Sequence, residues 1–196
     1  MTVIRSVCVF CGSRVGENPE FRAAARRLGE LLATHNLRLV YGGGSIGLMG
    51  VLADAVLANG GEVHGVIPRF LDRIEVGHRR VTSLDVVESM HERKAAMFEM
   101  ADAFIVLPGG LGTLDETIEI VTWRQLGLHD KPIIVVDHKG YWEPLLALVD
   151  HTVREGFAGK STRELFHVVS DVRSVLPALK VAAEDASGKA APAKVL

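Results

Sequence analysis

Short apolar runs alternating with helical patterns predict an α/β fold: a doubly wound, mostly parallel sheet with helices on both faces. Two further observations agree. The apolar runs are near-continuous, as in strands buried on both faces. Two glycine-rich segments each join the end of such a run to a helical pattern. In such sheets ligands bind at the carboxyl ends of the strands, where both segments fall.

The first strand is expected at Val3–Phe10, and others at Leu37–Tyr41, Glu62–Ile67, Arg80–Val87, Ala103–Leu107, Pro132–Val136 and Phe166–Val169. Helical periodicity fills Pro19–Thr34, Ile46–Asn59, Glu88–Ala101, Thr113–Leu126, Tyr141–Glu155 and Asp171–Leu179. Asn18 before Pro19 has the chemistry of an N-cap followed by proline at the first helical position. Asn59-Gly60-Gly61 is a C-terminal stop. No repeat or linker divides residues 1–180, which are expected to form one domain. The small and polar residues 181–196 are expected to form a disordered tail.

The 196 residues suffice for a sizeable core, with 48% hydrophobic and 23% charged, an ordinary soluble globular mixture. A net charge of −2 provides no general field for nucleic acid or an anionic membrane. Any anion selectivity is therefore local. No stretch reaches the roughly 18 apolar residues of a membrane-spanning helix, and the start lacks a signal-peptide pattern. The expected compartment is the cytoplasm. Cys8 and Cys11 form a C-x-x-C inside a strand, where residues three apart point to opposite faces. Without a second cysteine pair or histidines at ligand spacing, buried thiols are expected in place of a redox or zinc site.

The first glycine-rich segment, Gly42 to Gly50, contains a formal G-x-G-x-x-G at Gly42, Gly44 and Gly47. It follows the second strand, not the first, and no acid ends the next strand. Glu62 begins that strand, whereas a ribose-gripping acid belongs at its far end. A mononucleotide or phosphate-ester cradle fits better than a dinucleotide site, and a purely structural turn is the remaining alternative. Gly159-Lys160-Ser161 imitates the end of a P-loop, but Arg154 stands where its leading glycine belongs.

Pro108-Gly-Gly-Leu-Gly-Thr-Leu-Asp-Glu116 is the most informative segment. Strand, glycine turn and helix start together form an anion site, because the first helical N–H groups have no partner of their own. Glu116 places a carboxylate beside it. Thr113 and Glu116 also form a capping box, which would account for both without a ligand. Arg93 and Lys94 are adjacent on a helix and point about 100° apart. They read either as a solvated pair near Glu92 and Glu99 or, for Arg93, as a planar fork that holds substrate.

Together these segments resemble one family, the LONELY GUY-type phosphoribohydrolases, which activate cytokinins and were long labelled possible lysine decarboxylases. The signature P-G-G-x-G-T-x-x-E is matched by Pro108 through Glu116, and the basic dipeptide after M-H-x by Met90 through Lys94. C-G-S is Cys11-Gly12-Ser13, and G-G-G-x-x-G-L-M-G is Gly42 to Gly50. Gln125 to Pro132 is similar too, so the likeness spans roughly Val7 to Val169. It implies a modified Rossmann fold, a homodimer, and no redox cofactor or metal. The implied reaction is hydrolysis of the N-glycosidic bond of an N6-modified adenosine 5′-monophosphate. The catalytic pair would be Arg93 and Glu116. Substrate contacts would fall on Glu75, Lys94, Gly110, Leu111, Gly112, Thr113 and Thr122, with Ser13, Gly43, Gly44 and Gly109 of the matched loops.

The residues suit that chemistry. Breaking a ribosyl C–N bond develops positive charge on the sugar, which a fixed carboxylate can stabilise while it activates water. Two other readings compete: a general purine nucleotide nucleosidase accepting plain AMP, and a non-catalytic molybdenum-cofactor or nucleotide carrier. A carrier needs no catalytic pair. The decarboxylase label would require a Schiff-base lysine in a cofactor motif, and none stands out.

Overall fold

Burial on both faces explains why the strands are so apolar. All five residues of β1 (Ser6–Phe10) are buried, and they alternate between two cores. Val7 and Val9 belong to one apolar cluster, Cys8 and Phe10 to the other. The computed structural model describes residues 3–74 and 76–188. After β1 come α1 (Pro19–Thr34), β2 (Arg38–Tyr41), α2 (Gly47–Ala58), β3 (Val63–Pro68), the single turn α3 (Arg69–Asp72) and β4 (Ser83–Val87). Then follow α4 (Met90–Met100), β5 (Ala103–Val106), α5 (Leu111–Gln125), β6 (Ile133–Val136), α6 (Glu143–Arg154), β7 (His167–Val169) and α7 (Val175–Gly188).

The seven strands form one parallel sheet in the order β4-β3-β2-β1-β5-β6-β7. From β1 the chain builds outward through β4, then returns to pair β5 with the free side of β1. The order reverses there, which makes the crevice above β1 and β5 the expected ligand position. Helices α1, α2 and α7 cover one face, burying Leu28, Leu52 and Leu179. On the other face, α4 and α5 bury Met97 and Ile120, and Leu145 and Leu146 of α6 pack alongside. Among the described residues no helix is long and apolar enough to cross a membrane.

Local chemistry behaves as expected at several ends. The Asn18 side chain accepts from Glu20 N at 3.0 Å to start α1. Gly60, at φ +74°, follows the end of α2. Two expectations fail. Helix α7 runs through Gly188 and fully buries Ala182, so 181–188 are not a disordered tail. Residues 189–196 lie outside the described residues. Thr113 does not cap α5: Gly110 is the N-cap, in an extended conformation with no side-chain bond. The helix starts earlier than the capping-box pattern implies because glycine also tolerates the cap position.

At the amino-terminal edge of the sheet, Asp102 gathers the start of β1. Its Oδ2 accepts from Arg5 N at 2.8 Å, Ser6 N at 2.9 Å and Ser6 Oγ at 3.0 Å. Nearby, Val3 and Ile4 share an apolar groove of about 380 Å³ with Leu179 and Ala183 of α7. Replacing Asp102 by Ala strands the Arg5 and Ser6 N–H groups, while Ser6 Oγ keeps its 2.6 Å bond to Met100 O, so Asp102→Ala is expected to lower stability by about 1–3 kcal/mol. The readout is the urea midpoint at unchanged slope; an unaltered midpoint refutes it.

Candidate active site

Loops leaving the carboxyl ends of β1, β2 and β5 meet above the switch point. Gly12 N donates to Pro108 O at 3.1 Å, and Leu48 N in the first turn of α2 donates to Gly12 O at 2.9 Å. The approach leaves no room for side chains. A Cβ on Gly109 would lie 2.1 Å from Thr113 Oγ1 and 2.9 Å from Gly12 N.

Between these loops lies a cleft of about 130 Å³, lined by Ser13, Gly42, Arg93, the run Gly110 to Thr113, and Glu116, with Val9, Cys11 and Met49. It brings together Arg93 and Glu116, which are 23 residues apart in sequence. Arg93 is 6% exposed and Glu116 9%, so the solvated reading of Arg93 does not hold. Glu92 is engaged at the start of α4 instead: its N–H donates to Ser89 Oγ at 3.1 Å and its carboxylate accepts from Glu88 N at 3.0 Å. The Arg93 guanidinium crosses to β2, where Nη2 donates to Gly42 O at 3.1 Å. A Cβ at residue 42 would lie 1.9 Å from Nη2, so any larger residue there displaces the guanidinium.

Glu116 sits on the second turn of α5. The first N–H groups of that helix have no carbonyl a turn behind them; Leu114 N is bonded to Gly110 O at 3.0 Å. An anion against Gly110 to Thr113 would meet those groups and the positive end of the helix. Behind the cleft is Cys8. Burial pushes its thiol well above the usual range, with the Glu116 charge adding to the rise and Arg93 opposing it. A second cavity of about 500 Å³ adjoins the first, sharing Ser13, Gly110 and Leu111, with Arg14, Phe21, Leu48 and Tyr141 among its walls.

A carboxylate, a buried guanidinium and an anion cradle within one cleft suit a phosphorylated substrate. The family model described as "Possible lysine decarboxylase" matches residues 49–179. The chain is 45% identical over 177 residues to the cytokinin riboside 5′-monophosphate phosphoribohydrolase of Rhodococcoides fascians, covering 90% of this chain and 89% of that one. The chain belongs to this phosphoribohydrolase family. Its similarity extends to cytokinin riboside 5′-monophosphate phosphoribohydrolase LOG1 of Arabidopsis thaliana, 47% identical over 161 residues, or 82% of this chain and 76% of that one. Among solved structures, the molybdenum cofactor binding protein of Rippkaea orientalis superposes with a TM-score of 0.70. It is 18% identical over 92% of this chain and 98% of that one, a likeness of fold alone.

Not every position implied by the phosphoribohydrolase motifs lines the cleft. Gly109 borders the larger cavity. Gly43, at φ +76°, packs on Ile67 and Leu84, and its carbonyl accepts from His78 N at 2.9 Å. Gly44 bridges to Gly77. These two shape the loop that presents Gly42. Lys94 turns to α5, 3.3 Å from Asp115 and 3.0 Å from Glu119, and borders a small gap on the far side of Glu116. Thr122 is exposed on α5 and Glu75 lies outside the described residues. Gly42, Cys11, Met49 and Tyr141 were missed. Gly42 alone carried a signal, as the first glycine after a strand.

Glu62 pairs with Arg38 at 3.0 Å just before β3 begins, at the end of that strand opposite the cleft. Lys160 begins a short 3₁₀ segment before β7, which disposes of the P-loop imitation. Both cysteines are buried thiols, as expected. Because its folded pKa is raised, the neutral Cys8 thiol contributes stability below its unfolded value of about 8.5. That contribution is lost as pH rises through the folded value. In native protein at about pH 9, iodoacetamide is therefore expected to spare Cys8, whereas both cysteines react in urea. Mass spectrometry reads the difference; equal labelling of Cys8 in both states refutes it.

Proposed function

We propose that the chain hydrolyses the N-glycosidic bond of an N6-modified adenosine 5′-monophosphate, releasing the free cytokinin base and ribose 5-phosphate. The observation that carries this reading is the shared burial of Arg93 and Glu116 beside the start of α5, in a chain 45% identical to such a phosphoribohydrolase. The 5′-phosphate is held by the N–H groups from Gly110 to Thr113, which fixes the ribose over Glu116 and makes attack effectively intramolecular.

As the C1′–N9 bond breaks, its electron pair passes to the purine and positive charge develops on the ribose. The Glu116 carboxylate stabilises that charge and takes the proton from the attacking water, whose oxygen bonds to C1′. Arg93 donates hydrogen bonds to the electron-rich leaving base, which takes a proton from solvent as it departs, while Glu116 returns to solvent the proton it took from the water. Gly42 holds the guanidinium in place through its carbonyl. Among the described residues neither cavity is lined by a lysine, and Lys94 on the far side of Glu116 is paired with Asp115 and Glu119, which gives a Schiff-base decarboxylation no support.

The protein acts as a cytoplasmic homodimer in this reading. Leu111, at 84% exposed, and Ile118, at 47%, lie on one stripe of α5 with Thr122. A partner covering that stripe would cover Thr122 with it. Sedimentation at micromolar concentration is expected to give twice the chain mass.

Chromatography of N6-isopentenyl-AMP and AMP incubated in parallel tests the reaction. Base release mainly from the prenylated substrate is expected, while equal release from AMP would make this a general nucleotide nucleosidase. Nucleotide binding without release would favour a carrier. Glu116→Gln is expected to lower kcat by about 10²- to 10³-fold and to flatten the acidic limb of the pH–rate profile. Gly42→Ala should resemble Arg93→Ala, and the double variant should be little worse than either, because both remove the same positioned guanidinium. Additive losses would sever that link.

A further inference from the structure

The loop that forms the anion cradle contains two consecutive glycines, Gly109 and Gly110. A peptide between two glycines can turn over at small cost, since neither residue has a Cβ to confine its φ and ψ. Turning it over would exchange the positions of the Gly109 carbonyl and the Gly110 N–H, because the two point in opposite directions across one planar, trans unit. A cradle built on this peptide therefore needs something to hold it. Tyr141, between β6 and α6, supplies that hold: its hydroxyl donates to Gly109 O at 2.6 Å. The ring is itself braced edge-on by Phe21 at 5.3 Å and Trp142 at 4.9 Å.

The placement of the walls gives the bond its direction. Tyr141 borders only the larger cavity, whereas Gly110 borders both it and the cleft that holds Glu116. A carbonyl drawn toward Tyr141 leaves the Gly110 N–H turned the other way. We infer that Tyr141 is a positioning residue for phosphate recognition, locking the Gly109–Gly110 peptide so that the Gly110 N–H is presented to the 5′-phosphate. The inference rests on the nucleotide reading above. It adds a residue from outside the glycine motif to the machinery that anchors the substrate.

Tyr141→Phe tests it, because the ring contacts stay and only the hydroxyl goes. Tyr141 is 37% exposed, so the substitution leaves the two cores untouched. Calorimetric titration with ribose 5-phosphate and with the phosphate-free N6-isopentenyladenosine requires no turnover. Ribose 5-phosphate affinity is expected to fall about three- to tenfold, the size of one lost hydrogen bond, while the nucleoside binds as before. In steady state the loss should appear in KM for N6-isopentenyl-AMP and not in kcat. Unchanged ribose 5-phosphate affinity, or equal weakening of both ligands, overturns the role of Tyr141. If the unaltered protein binds no ribose 5-phosphate at all, the nucleotide reading itself fails.

Discussion

Close approach of backbone governs this molecule. Above the switch point, the chain ends of β1, β2 and β5 come so near one another that a single added carbon at residue 109 would strike both Thr113 and the Gly12 amide. The same holds at residue 42, where the guanidinium of Arg93 occupies the space of the missing side chain. The strand order brings the loops together, and the glycines let them close. Much of the cleft depends on that closure: the amide edge of α5, the position of Arg93, and the wall that separates one cavity from the next.

Burying an arginine is costly unless its donors are occupied. Here the cost is offset by the carbonyl at the end of β2, a group that a paired strand interior would have used elsewhere. The helix supplying Arg93 is fixed at its start by Ser89 and Glu92. On its neighbouring stripe, Lys94 fastens it to Asp115 and Glu119 of α5. Helices α4 and α5 thus carry the two charged side chains of the cleft and are cross-linked beside them. That arrangement holds the acid and the guanidinium in mutual register.

Much of this was legible in the sequence, for identifiable reasons. The five inner strands are buried apolar runs that announce themselves, and the edge strands β4 and β7, which bury no residue, keep enough apolar positions to be found, with ends displaced by a few residues such as 80–82 before β4. Start signals as specific as Asn18-Pro19 locate a helix to the residue. Thr113 misled because a Thr-x-x-Glu pattern has the same form at a cap and inside a helix, and only the conformation of Gly110 decides between them. The extent of α7 was hidden by composition: alanine-rich sequence looks like linker until a groove exists to bury Ala182. Tyr141 lies 32 residues from the carbonyl it holds, and no local pattern connects the two.

The two ends of the sheet divide the work. The cleft holding Arg93 and Glu116 stands at the carboxyl ends of the strands, while Val3 and Ile4 meet Lys180, Ala183 and Glu184 of the last helix in a groove at the opposite end. A load carried by Val3 and Ile4 would therefore sit across the sheet from the cleft, and small ligands would reach the cleft without passing it.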